Sequence, residues 1–552
     1  MTILKSAFLF ILIIMLIGCT EEVENGDKEM LQEKIDQFAE VEIKYDDSIL
    51  DERQNIVVQK LYEAGKIIDE LFLEQVYSKN FEIRDSLQKS DNEIDKLQLE
   101  YFNIMFGPWD RLDSDKPFIG LIEKPLGANF YPEDIAKEEF EQWIKEHPED
   151  EKSFISEFTV IRRNKGKLIA IPYSEFYKEK LQQISKLLRE AANYADNLSL
   201  KNYLNTRATG FETNDYYESD IAWMDLKNHL IEVVIGPYEV YEDGLFNYKA
   251  AFECFITIVD PEESKKLERF ANYLIDIEKN LPYPDEMKNF DRGAESPIVV
   301  CNEVFCAGDS KSAQQTLAFN LPNDERVRKE KGSKKVMLKN IHEAKFDKLL
   351  YPIAAQVLDE EQLKYITFDA FFNHTLMHEI SHGVGPAFIK VNGRDTEVKI
   401  ELKEQYSKIE ECKADILGIY TNIFMIEKDE YPKSLENELY CTFLAGIFRS
   451  VRFGVTSAHA IGNSIIYNYL LEFGGYEYDE TNNRVKVNFD KIYEGVKSLA
   501  NKVLILQATG DYEGTKALVE KYGIESESMK KLKDKLTDLP VDIKPIFQIG
   551  QQ

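Results

Sequence analysis

His378-Glu379-Ile380-Ser381-His382 is the most informative segment of this sequence. On a helix, residues i and i+4 lie on one face, so His378 and His382 can reach a single metal ion. The glutamate between them, Glu379, is placed to take a proton from a metal-bound water. His374 lies one turn earlier and is interpreted as a buried structural or supporting histidine. The pattern therefore predicts a helix that carries two metal ligands and a general base.

A second predicted helix supplies the third ligand. From Glu410 to Met425, apolar residues recur at helical spacing, and Glu411 offers an oxygen ligand at the start of this run. Asp415 lies four residues further along the same face, where its carboxylate can accept a hydrogen bond from the second nitrogen of a ligating imidazole. Glu410 is a further candidate for this supporting role. Two histidines and one glutamate suit zinc best, so we expect one Zn²⁺ per chain.

The first nineteen residues have the pattern of an export signal. One lysine is followed by an apolar run at residues 7–17, which is too short for a comfortable membrane span. Leu16-Ile17-Gly18-Cys19 resembles the lipobox of bacterial lipoproteins, in which the cysteine is acylated; an ordinary signal peptide is the alternative. We therefore expect a lipoprotein signal peptide at residues 1–18 and an acidic tether at 19–30. The protein would be exported and held in the cell envelope, at the outer membrane or cell surface, by a lipid on Cys19.

Composition limits the possible partners and the possible framework. The formal net charge is −31, from 99 acidic and 68 basic residues, which argues against nucleic acid and anionic surfaces as partners. A chain of 552 residues with 43% hydrophobic content can build more than one core, so two lobes are expected. Five cysteines follow Cys19, and an odd number in so long a chain does not describe a disulfide framework. Whether Cys301 and Cys306 pair is left open.

The remaining sequence predicts an α+β protein in which helices predominate. Apolar residues at helical spacing indicate core-facing helices, whereas short runs rich in Val, Ile and Phe indicate strands. The turn residues Asn164-Lys165-Gly166 are typical of a hairpin. The predicted elements are a helical stripe of Val57, Leu61, Ala64, Ile68 and Leu71, a hairpin at Phe158–Ile171, strands at Leu230–Gly236 and Ala251–Val259, and mostly helices from Glu262 onward.

Four sequence features, in the same order along the chain, resemble the dipeptidyl-peptidase III family of zinc metallopeptidases. The resemblance covers most of the mature length. The first two features are the strand Glu232-Val233-Val234-Ile235-Gly236 and the loop Asn320-Leu321-Pro322-Asn323-Asp324, and the loop is similar to the family's NxPN(Y/D). The third is the hexad Glu410-Glu411-Cys412-Lys413-Ala414-Asp415, which is similar to the family's EECxA(D/E). The fourth is the helix that starts at Ser457-Ala458-His459.

The resemblance implies roles for individual residues and a fold. It implies that Glu411 is the zinc ligand and that His459 stabilises the transition state. Asn320 and Asn323 would hold the N-terminal portion of a peptide, and Glu232 its free amine. The implied fold has two lobes around a wide cleft: a mixed lobe with a small β-barrel, assigned to residues 31–255, and a helical zinc-binding catalytic lobe, assigned to 256–530. Residues 531–552 would return to the first lobe.

The sequence also departs from the family pattern. The family has HExxGH, whereas this chain has the five-residue HExxH, which is typical of a divergent bacterial branch. Two family arginines match Asn463 and Asn468, and their loss removes bidentate partners for a carboxylate. The expected function is a membrane-anchored zinc peptidase that acts near the N-terminus of short peptides. A zinc hydrolase of another amide and a catalytically silent, zinc-containing peptide-binding lipoprotein remain alternatives, although the intact Glu379 argues against the second.

Overall fold

A computed structural model describes residues 26–550, apart from residues 272, 289 and 291–296. The predicted signal peptide, the lipobox-like segment with Cys19 and most of the acidic tether lie outside the described residues. The chain divides into two compact units. As far as they are described, the first comprises Met1–Asp260, Cys301–Ile341 and Val541–Gln552, and the second comprises Pro261–Val300 and His342–Pro540.

Helices predominate in the described residues, as the sequence predicts. In chain order they are α1 (26–36), α2 (Glu52–Val76), α3 (Asn80–Gln88), α4 (Glu93–Met105), α5 (Lys137–Glu146), α6 (Glu151–Phe154), α7 (Tyr173–Phe176), α8 (Lys178–Tyr194), α9 (Leu198–Thr213), α10 (Tyr217–Met224), α11 (Pro261–Ala271), α12 (Leu274–Asn280), α13 (Glu325–Lys331), α14 (Lys339–Lys345), α15 (Tyr351–Val357), α16 (Phe368–His382), α17 (Val398–Leu402), α18 (Tyr406–Glu427), α19 (Leu435–Val451), α20 (Ala458–Phe473), α21 (Ile492–Thr509), α22 (Tyr512–Tyr522) and α23 (Glu527–Lys533). A π-helical segment, Phe346–Leu350, joins α14 to α15. In this part of the chain, no helix is both long enough and apolar enough to cross a membrane.

The strands form one larger sheet and several two-stranded ones. In chain order they are β1 (Phe38–Ile43), β2 (Trp109–Asp110), β3 (Lys116–Pro117), β4 (Thr159–Asn164), β5 (Lys167–Pro172), β6 (Ile231–Glu239), β7 (Ala251–Val259), β8 (Ile298–Gly308), β9 (Ala318–Leu321), β10 (Lys334–Leu338), β11 (Phe388–Val391), β12 (Arg394–Glu397), β13 (Tyr476–Asp479), β14 (Arg484–Val487) and β15 (Asp542–Phe547). The predicted hairpin is β4–β5, and the two predicted strands are β6 and β7. The larger sheet has the order β6-β7-β8-β10-β9.

The core of the first unit lies where α2 packs on this sheet. The predicted stripe on α2 is completely buried. Gly65 of α2 lies so close to the ring of Phe305 on β8 that an added Cβ would be 2.9 Å from it. All nine residues of β7 are buried, which is expected of a central strand covered on both faces. The apolar residues of α2, β7 and β8 therefore build one common core.

The five-stranded sheet corrects the prediction of a small β-barrel. Among the described residues the sheet is open, with β6 and β9 as its edges. Two side-chain contacts nevertheless reach its β6 edge: Asn323, just after β9, donates from Nδ2 to the main-chain oxygen of Tyr238 on β6 at 3.0 Å. Lys334 of β10 likewise reaches the carboxylate of Glu232 on β6 at 3.1 Å. In the described residues these side chains connect β6 to the β10–β9 end of the sheet, where a barrel would have a backbone ladder.

The unit boundaries also differ from the predicted lobes. The prediction gave residues 256–530 to the helical lobe, but the structure assigns Cys301–Ile341 to the first unit. The reason is β8, which pairs antiparallel with β7 over Glu253–Val259 and thereby joins the first sheet. At the C-terminus, the first unit regains the chain only from Val541, where β15 pairs in parallel with β1. The five described cysteines are buried and unpaired, including Cys301 and Cys306.

The second unit is built around α18, most of which is buried. Two glycines let the neighbouring helices approach it closely. An added Cβ on Gly418 would lie 3.0 Å from the His374 ring of α16, and one on Gly462 of α20 would lie 2.9 Å from the main-chain nitrogen of Cys412. The side chain of Ser457 caps α20 by accepting a hydrogen bond from the N–H of Ala460. These contacts bring α16, α18 and α20 together at one point.

Candidate metal and active site

The three predicted ligands meet at this point. His378 Nε2 and His382 Nε2, on α16, are 3.2 Å apart. Glu411 Oε2, on α18, lies 3.5 Å from the first nitrogen and 3.7 Å from the second. These residues form a group whose ligand atoms could hold one metal ion. The i, i+4 spacing on α16 and the close approach of α18 account for the arrangement.

The geometry and chemistry of this group fit zinc. Ligands that lie 2.0–2.2 Å from a tetrahedral zinc ion are separated by about 3.4 Å, which is close to the three distances found here. Glu411 Oε2 is buried, and in the described part of the chain no donor is aligned to give it a hydrogen bond, although His459 Nδ1 lies 3.1 Å away. Buried carboxylate oxygens are normally paired, so an oxygen left in this state suits a metal ligand.

The first imidazole is held by Asp415. His378 Nδ1 donates to Asp415 Oδ1 at 2.7 Å, which leaves Nε2 available to bind a metal ion. Burial acts to raise the pKa of Asp415, but the neighbouring histidines, His378 foremost, lower it to about 2. Asn463 of α20 donates from Nδ2 to Asp415 Oδ2 at 2.9 Å. Asn463, considered from the sequence only as a lost arginine, thus helps to orient the carboxylate that supports a ligand.

The second imidazole is held by Glu410. His382 Nδ1 lies 2.9 Å from Glu410 Oε1. Burial acts to raise the pKa of Glu410, but Lys413 and His382 lower it to about 2. Lys413 Nζ forms an ion pair with Glu410 Oε1 at 2.8 Å, and Gln507 Nε2 donates to Glu410 Oε2 at 2.8 Å. The structure therefore brings both predicted supporting carboxylates to the site and adds Lys413 and Gln507, which sequence reasoning missed.

Two further histidines lie near the candidate ligands, His374 and His459, and they differ in burial. His374 contacts the main-chain oxygen of Asp415 through Nε2 at 3.0 Å, and burial lowers the pKa of His374 to about 4, as expected of a neutral structural residue. The His459 side chain is 62% exposed and lies beside the third ligand, with its ring centroid 6.0 Å from that of His378. Glu379, partly buried, follows the first ligand on α16. An exposed imidazole next to the ligands can reach a bound molecule.

The predicted substrate-binding residues lie in the first unit, and one assignment is corrected. Glu232 is 1% exposed and contacts Lys334, His229 and Trp223. Burial acts to raise the pKa of Glu232, but Lys334 and His229 lower it to about 2. Its charge is thus compensated inside the sheet, which leaves it no capacity for a substrate ammonium. Asn320 lies on β9 and is exposed.

A group of three carboxyls lies near Asn323 and was missed by sequence reasoning. Glu239 Oε1 is 3.3 Å from Asn323 Nδ2. Glu253, opposite Gly236 in the β6–β7 ladder, is 5% exposed, and no basic side chain among the described residues pairs with it. Burial, together with Asp309 and Glu239, raises the pKa of Glu253 well above its usual range. Burial and Glu242 likewise raise the pKa of Asp309 to about 7. Arg111 partly offsets the charge of Asp309, whereas no described basic side chain offsets that of Glu253.

The HExxH helix and its carboxylates define a metallopeptidase, and comparisons with known proteins agree with this class. The model of "Peptidase family M49" matches residues 135–404. The solved structure of DPP III from Caldithrix abyssi is 66% identical, covers 94% of this chain and 99% of that one, and superposes with a TM-score of 0.92. Nudix hydrolase 3 of Arabidopsis thaliana is 37% identical over 94% of this chain and 74% of that protein. Human dipeptidyl peptidase 3 is 23% identical, and the match spans 64% of this chain and 54% of the human protein.

These matches place the chain among peptidases. It belongs to peptidase family M49, the dipeptidyl-peptidase III family, as the four sequence features indicate. The name Nudix hydrolase is that of the plant relative, part of which lies outside the match.

Proposed function

We propose that this protein is a zinc exopeptidase that cleaves short peptides near their N-terminus. The observation that carries the proposal is the group of His378, His382 and Glu411 beside Glu379, in a chain that belongs to a peptidase family. Zinc bound there would supply Lewis-acid activation of a water molecule and of the scissile carbonyl. The supporting carboxylates keep both imidazoles in the orientation that this chemistry needs.

The protein's own residues would move the protons. Glu379 takes the proton from the attacking water and later passes it to the leaving amine. His459, exposed beside the ligands, is placed to donate a hydrogen bond to the oxygen on which negative charge develops. Both roles need a side chain that is close to the ligands and reachable by substrate, and the exposed His459 ring meets this requirement.

The free amine of the peptide would bind at the three-carboxyl group of Glu239, Glu253 and Asp309, of which Glu239 lies beside Asn323. This replaces Glu232, whose charge is already compensated. A buried carboxyl without a cationic partner is costly to ionise, and an ammonium that arrives next to it stabilises the ionised form. Burial and the neighbouring acids that raise the pKa of Glu253 support this role.

Amine recognition is tested with a free-amine peptide and its N-acetylated twin. The wild-type chain is expected to prefer the free amine, and Glu253→Gln is expected to lose about tenfold or more of that preference through KM, because a buried charged hydrogen bond of about 1.5–3 kcal/mol is removed. The exposed Glu123→Gln serves as the control and should behave like the wild type. Equal cleavage of both peptides by the wild type would contradict the exopeptidase proposal, whereas an unchanged preference in Glu253→Gln would contradict only this amine site.

We further propose that a lipid on Cys19 anchors the protein in the cell envelope. The proposal rests on the Leu16-Ile17-Gly18-Cys19 pattern alone. Expressed in a bacterial host, the full chain is expected in the membrane fraction, and Cys19→Ala is expected to move it to the soluble fraction or leave its signal uncleaved. An unchanged distribution with a normally processed N-terminus would contradict lipidation.

A further inference from the structure

One peptide group next to the metal-binding helix is held from both sides by buried charged side chains. The main-chain oxygen of Val384 accepts a hydrogen bond from Lys413 Nζ at 3.1 Å. The N–H of Gly385 donates to Glu278 Oε2 at 2.9 Å. The two main-chain atoms belong to the same peptide unit. Lys413 is 2% exposed and Glu278 is fully buried, so neither charge is solvated by bulk water.

The same lysine is bound to the carboxylate that supports a metal ligand. Lys413 Nζ lies 2.8 Å from Glu410 Oε1, and that oxygen is also the one that lies 2.9 Å from His382 Nδ1. At the other end, Glu278 Oε1 accepts a hydrogen bond from the hydroxyl of Tyr283 at 2.7 Å. A continuous series of contacts therefore runs from Tyr283 to His382. We call its central part, Glu278, the 384–385 peptide and Lys413, the Glu278–Lys413 clamp.

The backbone at this place is suited to the clamp. Gly385 has a φ of +83°, in the region that favours glycine. An added Cβ there would lie 2.9 Å from Leu504 Cδ2 and 3.7 Å from Lys413 Cδ. The absence of a side chain lets α21 and the Lys413 stem lie against the peptide. The turn that follows α16 is thus fixed directly after the ligand His382.

Electrostatics indicates how the clamp would act on the metal site. Lys413 contacts the partly buried Glu410 directly and is linked to the buried Glu278 through the 384–385 peptide. Removing the lysine leaves Glu410 with less compensation in a buried place, where unpaired charge is strongly unfavourable. Gln507 still holds the other oxygen, Oε2, so the carboxylate is expected to turn rather than leave. Turning it moves the acceptor of His382 Nδ1 and so changes the orientation of the ligating ring.

We propose that Lys413 and Glu278 are positioning residues for the metal ligand His382. They act on it through the 384–385 peptide and the Glu410 carboxylate, and neither contacts the ligating nitrogen. This inference rests on the metal site of the proposed function. It goes beyond that function by making metal affinity depend on α12, an element that contributes no ligand.

The test measures the zinc dissociation constant of the full chain by competition with a chromogenic chelator. The variants are Lys413→Met, Lys413→Arg and Glu278→Gln, with Lys516→Met on the exposed face of α22 as the matched control. Lys413→Met is expected to weaken zinc binding about 10- to 100-fold, as is usual for groups that orient a ligand. Lys413→Arg should recover most of the loss. Glu278→Gln should cost less, and the double variant should lose less than the product of the two single effects.

Melting temperatures of the metal-free protein separate positioning from a structural role. A structural role lowers the melting temperature of the metal-free variants and leaves the zinc dissociation constant within about twofold of the wild type, a result that would overturn the proposal. If Lys413→Met fails to fold, the near-isosteric Glu278→Gln carries the test alone. A wild-type chain that binds no zinc would contradict the proposed function itself, whereas normal binding by the wild type and by every variant would contradict only the clamp.

Discussion

Glu411→Ala is expected to bind no zinc at concentrations that saturate the wild type, and to have no measurable peptidase activity. The substitution removes the oxygen ligand and leaves two imidazoles, which form an incomplete site. Glu411 Oε2 lies 3.5 and 3.7 Å from the two ligating nitrogens, and among the described residues it is the one carboxylate grouped with both histidines as a possible metal ligand. Zinc content is measured by elemental analysis after gel filtration, and activity with a free-amine peptide.

Glu427→Ala, at the exposed end of the same helix, is the matched control and should retain both zinc and activity. A Glu411→Ala chain that folds and keeps one zinc ion with wild-type affinity would show that the third ligand is a different residue.

Glu379→Gln is expected to keep its zinc and to lose turnover by about 10²- to 10⁴-fold, the usual contribution of a general base. Glutamine preserves the shape of the side chain and cannot accept the proton. The loss should appear in kcat, because the residue acts in the chemical step and not in holding the ligands. Zinc content and steady-state kinetics on the same preparation check both parts.

Ser381→Ala is the control on the same helix. The Ser381 hydroxyl is buried and has no hydrogen-bond partner among the described residues. Its removal should therefore leave the free energy of unfolding unchanged or slightly raised. If Glu379→Gln turned over peptides at the wild-type rate, the general base would have to be sought elsewhere. Loss of zinc in this variant would mean that Glu379 supports the ligands instead.

The local part of the site is predictable from sequence because helical spacing alone places its atoms. Two histidines four residues apart must share a face of α16, and Asp415 must share a face with Glu411 on α18. The same periodicity predicts the buried stripe on α2. In each case the relevant neighbours lie within about one turn of a helix, where covalent geometry dictates the contact.

Contacts between distant segments could not be predicted in this way. Asn463 and Gln507 reach Asp415 and Glu410 across separations of 48 and 97 residues, and no local pattern marks them. Strand β8 was assigned to the wrong unit because its pairing with β7 is a long-range property. Glu232 looked available on its strand, but its partner Lys334 is 102 residues away. Charge compensation inside the sheet depends on tertiary structure.

The central claim is that the three-ligand group holds a zinc ion that is required for peptide hydrolysis. The most direct test measures zinc content and product release together, with a library of tetra- to octapeptides, before and after treatment with a chelator and after zinc is restored. We predict about one zinc per chain and release of N-terminal dipeptides that is lost with the chelator and recovered with zinc. Cleavage that continues at full rate in the metal-free protein, or stoichiometric zinc without cleavage of any peptide, would contradict the claim.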